Sequence, residues 1–94
     1  MAQPTISRIR DCIRSASYVL SAHAEQGVED DGLTINDVKN VLLTGRLVER
    51  QRDGRTREYK YVVQGSALDG CDVEVVVKFG FGTGRLYIIT VYLD

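Results

Sequence analysis

His23 is the one histidine in the chain. It is the side chain best suited to carry a proton near neutral pH, because only histidine titrates there without perturbation. Glu74 and Tyr92 are the candidates for a second proton carrier. Arg57, Lys60 and Lys78 are cations able to hold an anionic group, and Gln64 is an amide able to orient it. Spacing alone does not bring His23 near the strands that carry the others. Each residue also has an ordinary reading: His23 as a capping or core-edge ring bonded to a backbone carbonyl, Tyr92 as a sheet residue whose hydroxyl reaches solvent.

Other chemistries find less support. One histidine and scattered acids do not make the usual first-row metal set, and Asp30, Asp31 and Asp37 lack calcium-loop spacing. Gly80-x-Gly82-x-Gly84 precedes a strand, not a helix, so it reads as a hairpin and not a nucleotide loop. No metal or cofactor is expected. Cys12 and Cys71 match no metal spacing and sit among apolar neighbours, which predicts buried reduced thiols. The net charge of −1 argues against non-specific nucleic-acid binding by the whole surface. The charge is uneven, however: 25–37 is acidic, and Arg46, Arg50, Arg52, Arg55, Arg57 and Lys60 follow it. That basic segment reads either as a solvated hairpin or as a phosphate-binding patch.

The elements that must position these groups are legible. The 94 residues make one domain, 1–94. No apolar run is long enough to span a membrane, no basic-then-apolar signal pattern opens the chain, and a cytoplasmic location is expected. Pro4 suits a helix entrance, and Ile6, Ile9, Ile13 and Ala16 share a face of a helix over about 5–15. Tyr18-Val-Leu reads as an edge strand or an extended link. Ser21 can cap a short helix carrying His23 and ending near Gly27. Thr34 and Asp37 have capping-box spacing. Ile35, Val38, Val41 and Leu42 form the buried stripe of the next helix, with Gly45 as a left-handed stop. Strands follow over about 47–51, 58–64, 71–79 and 86–93, with turns at Asp53-Gly54 and Asp69-Gly70. The fold class is α+β, with N-terminal helices on one face of a curved antiparallel sheet of about four strands.

If Tyr59, Tyr61, Val63 and the odd positions of 71–79 face the helices, the other face presents Glu58, Lys60, Gln64, Asp72, Glu74, Lys78, Thr90 and Tyr92. Such a face can bind RNA or another polar ligand, or it can be simply solvated. Val62, Val76, Leu86 and Ile88 are expected beside them, as an apolar strip for a partner or a second copy to cover.

Tyr18-Val-Leu-Ser21-Ala-His23-Ala24, Gly32-Leu33-Thr-Ile-Asn-Asp-Val38, Leu42, Gly45 and Gly84-Arg-Leu-Tyr-Ile-Ile-Thr90-Val-Tyr92 resemble a bacterial family of uncharacterised small domains with a Ser-x-His-Ala motif. That family is similar in layout to RelE/MqsR/BrnT-like toxins. The resemblance implies a RelE/barnase-like fold and metal-independent RNA cleavage, with a toxin–antitoxin setting. His23, Glu74 and Tyr92 would then move protons, and Arg57, Lys60, Gln64 and Lys78 would hold phosphate. The chain departs from the pattern where Gly27 and Asp31 replace arginines and Glu74 replaces a second histidine. The alternative is a non-catalytic interaction module, self-associating or binding a small antitoxin-like protein.

Overall fold

A proline at the helix entrance and isoleucines at helical spacing dictate the first element. The computed structural model describes residues 4–52, 54–55, 58–80 and 82–93. In it α1 spans Thr5–Arg14 and buries Ile9 and Ile13. Ala16, expected to extend that stripe, leaves the helix with φ of 58° and is exposed. Then come β1 (Tyr18–Leu20), α2 (Ala22–Asp30), α3 (Ile35–Thr44), β2 (Arg46–Arg52), β3 (Tyr59–Ser66), β4 (Asp72–Phe79) and β5 (Leu86–Leu93).

The sheet has five strands in the order β1-β5-β4-β3-β2, not four. From β2 to β5 it is the expected antiparallel meander. Tyr18-Val-Leu joins as a parallel edge strand, with Tyr18 opposite Leu86 and Leu20 opposite Ile88, so the sheet is mixed and open.

Beyond Leu20 the edge of β5 is covered by α2. Ser21 makes the switch from strand to helix: its hydroxyl accepts from the Ala24 N–H at 3.0 Å and donates to the Ile89 carbonyl at 2.9 Å. Further along, Asp31 accepts the Leu93 N–H at 3.2 Å. Gly27 does not end this helix. It sits within it and lets it rest on the backbone of Val91, where any Cβ would overlap the carbonyl.

Thr34 and Asp37 form the expected capping box at α3. Asp37 also accepts the Leu68 N–H at 2.9 Å, which ties the helix start to the β3–β4 turn. These backbone donors, Leu68 first and Thr34 next, hold its carboxyl below the usual aspartate range. Val38, Val41 and Leu42 are buried, whereas Ile35 is exposed. Gly45 is extended, with φ of −77°, and not left-handed. Glycine is needed there because a Cβ would meet the carbonyls of Val41 and Gln64 at 2.5 Å. Arg10 Nη2 donates to the Gly45 carbonyl at 2.8 Å, pinning α1 to the end of α3.

The core lies between the helices and one sheet face. Val63, Val73, Val75, Val77, Leu86, Ile88 and Val91 meet Ile9, Ile13, Ala24, Val38, Val41 and Leu42 there. This corrects the expectation that Leu86 and Ile88 lie on the outer face. The pairing runs Val77–Ile88 and then Val76–Thr90, so Ile89 is an extra residue in β5. A bulge shifts the alternation by one: even positions point inward as far as Ile88, and Val91 points inward after it. The cysteines are free, but Cys71 is exposed and Cys12 half-buried, so neither is the buried thiol expected. Cys71 lies just before β4, outside its alternation.

Candidate functional site

The uncovered sheet face is built in three transverse rows by strand register. The first runs Arg46–Gln64–Glu74–Tyr92 across β2, β3, β4 and β5. The second runs Glu49–Val62–Val76–Thr90. The third holds Gln51 paired with Lys60 and Lys78 paired with Tyr87, with Val19 of β1 beside Tyr87. Paired residues share a face, and Tyr61, Phe79 and Leu47 pack on the opposite side against the core.

In the first row the Tyr92 hydroxyl donates to Glu74 Oε2. Gln64 is the cross-strand neighbour of Glu74, and Arg46 that of Gln64. Arg46, Gln64, Gly65 and Asp72 line a shallow cleft of about 300 Å³. The sequence offers Arg46 only as the first residue of a basic segment and does not place it beside Gln64 and Glu74. A bulge at Val48 in β2 sets its partner, and no period-two count reaches across it.

The lysines stand two rows away. At about 3.4 Å of rise per residue, Lys78 is roughly 13 Å along β4 from Glu74. Lys78 Nζ is paired with Glu58 Oε2 at 3.1 Å, whereas Lys60 has no hydrogen bond or ion pair among the described residues. Glu58, Lys78, Gly80, Thr83 and Tyr87 line a cleft of about 240 Å³. Arg57 lies outside the described residues.

In the middle row Val62 is only 5% exposed although it is not part of the helix-side core. The expected apolar strip therefore shrinks to half-buried Val76.

His23 is exposed, one residue into α2. Ala24 and Val28 of that helix pack toward the core, and Gly27 faces the Val91 carbonyl. His23 precedes Gly27 by one helical turn, on the flank away from Val28. It therefore stands at the β5 rim and not in the core. No hydrogen bond joins it to the Glu74–Tyr92 pair, and it caps no carbonyl among the described residues. The fold thus brings Glu74, Tyr92 and Gln64 into one row, sets Lys60 and Lys78 in another, and leaves His23 at the edge.

Among the described residues no three His, Cys, Asp or Glu side chains are grouped to hold a metal ion. No helix there is long and apolar enough to cross a membrane.

These features define an α+β domain with an open mixed sheet and a polar, uncovered face. The chain belongs to the family described as domain of unknown function DUF4258, which matches residues 20–93. The match begins after α1 and takes in α2 with His23, α3 and all four antiparallel strands. No curated protein matches the chain.

Proposed function

We propose that this domain acts on RNA at its uncovered sheet face, as a metal-independent endoribonuclease of the RelE/MqsR type. The observation that carries the reading is the Tyr92–Glu74 hydrogen bond in line with Gln64 and Arg46 on that face. Cleavage without metal needs a base for the 2′-hydroxyl, an acid for the leaving 5′-oxygen, and cations for the phosphate. Glu74, hydrogen-bonded by the Tyr92 hydroxyl, is the base. The 2′-oxygen attacks phosphorus, the bond to the 5′-oxygen breaks, and a 2′,3′-cyclic phosphate remains. His23 at the rim is the candidate acid. Gln64 and Arg46 are near enough to serve the reacting phosphate. Lys60 and Lys78, some 13 Å off, serve a flanking one.

The test is purified full chain with end-labelled single-stranded RNA in EDTA. Discrete cuts are expected, falling at least 100-fold in Glu74→Gln and in His23→Ala. An inert protein at several pH values, or cutting unchanged by both substitutions, removes the reading.

One observation favours a second reading, a non-catalytic interaction module. β2 is an open sheet edge with every residue but Leu47 exposed, and Val48 is 43% exposed. An unpaired edge can accept a strand from a small antitoxin-like protein or a second copy. Light scattering tests self-association: a monomer mass over a wide concentration range counts against it.

A further inference from the structure

The molecule carries a second polar–aromatic feature, on the side of the sheet opposite Glu74. Arg8 lies 4.2 Å from the Phe79 ring centroid. The Phe79 and Tyr61 rings meet edge to face at 5.9 Å, Tyr61 and Tyr59 are 6.5 Å apart, and Arg50 lies 4.8 Å from the Tyr59 ring. Three rings thus stand in a row, capped at both ends by guanidinium groups. The row spans α1, β4, β3 and β2, so no stretch of sequence announces it.

Two properties separate this row from ordinary core. Arg8, Phe79, Tyr61 and Tyr59 line a cleft of about 360 Å³, and Tyr59 is 39% exposed. Arg8 and Arg50 have no carboxylate partner among the described residues. Glu58, the acid in the cleft wall, is already paired with Lys78.

We infer that this row is a binding track for single-stranded RNA, with an unpaired base stacked on the exposed ring of Tyr59, one neighbouring phosphate met by Arg50 and a phosphate further along the strand met by Arg8. An exposed ring such as Tyr59 accepts the flat face of any base, and Arg8 and Arg50 supply the charge its backbone needs. A duplex hides those base faces. Glu58 and Gly80 border both this cleft and the one holding Lys78 and Tyr87. A strand leaving the track can therefore pass the β4–β5 hairpin and reach the uncovered face. The inference rests on the RNA reading but not on cleavage.

The experiment measures binding of a labelled eight-nucleotide 2′-O-methyl RNA to the full chain by fluorescence anisotropy. This oligonucleotide has no 2′-hydroxyl to attack and cannot be cut, so a failed cleavage assay leaves the measurement intact. Tyr59→Leu should weaken binding roughly ten-fold, and Tyr59→Phe should keep it within about two-fold, because a ring remains. Arg8→Gln and Arg50→Gln, both on the surface, should each lower the slope of log affinity against log salt by about 0.7. The same RNA annealed to its complement should bind more weakly. Equal affinity of wild type and Tyr59→Leu, a salt slope unmoved by both arginine variants, duplex binding as tight as single strand, or no binding at low salt would each overturn the inference.

Discussion

Gly27→Ala sets two effects of opposite sign against each other in α2. Alanine is the better helix former, and in an exposed helix the change stabilises by about 1 kcal/mol. Here the new methyl would overlap the Val91 carbonyl. That obstacle is the backbone of β5, held on its other side by β4, with no rotamer to escape into. Overpacking of this kind costs about 1–3 kcal/mol, and rigid surroundings favour the upper end. The expected net is a loss of about 2 kcal/mol. For a domain of this size that is a fall in Tm of roughly 8–16 °C. Thermal unfolding followed by circular dichroism measures it. A Tm equal to or above wild type would refute the claim that α2 rests on the β5 backbone through Gly27. On the proposed RNA-cleavage reading, activity of the surviving folded fraction should also fall, because the displaced helix carries His23.

Ile88→Ala should cost about 2–5 kcal/mol by chemical denaturation, because Ile88 is fully buried on the core side. A cost under 1 kcal/mol would place it on the outer face. Thr34→Ala should cost about 1 kcal/mol through loss of its side-chain cap. Asp37→Asn gives a pH signature. The folded carboxyl sits below its unfolded value, so its stabilisation is full above about pH 4 and is lost as pH falls through the folded pKa. The stability gap between wild type and Asp37→Asn should therefore be constant from pH 7 to about 4 and close below it. In alkylation followed by mass spectrometry, Cys71 should react before Cys12, since it is the exposed thiol. Its rate should climb steeply above pH 8, because the neighbouring Asp69 carboxylate, by hydrogen bond and charge, raises its pKa.

The sequence by itself determined the local elements. Isoleucines three and four apart drew α1, Thr34 and Asp37 placed the start of α3, and alternating valines drew β4. These signals are readable because each depends on residues within one turn or one strand. The inward set of β4 and, apart from the exposed Tyr59, of β3 was legible for the same reason, and with it the placement of the half-buried Lys60, Gln64 and Lys78 on the far face. Tertiary structure alone decided the rest. Ile89 enters β5 as an extra residue and exchanges which of its side chains are buried, a choice made by pairing with β4. Tyr18–Leu20 becomes a parallel strand because β5 offers it an edge, and three residues cannot advertise that. Gly27 and Gly45 look like helix stops but serve close backbone contacts with residues far along the chain. The Tyr92–Glu74 pair and the Arg8–Phe79–Tyr61–Tyr59–Arg50 row join residues whose proximity follows from strand order and helix docking. No periodicity within a single segment carries that information.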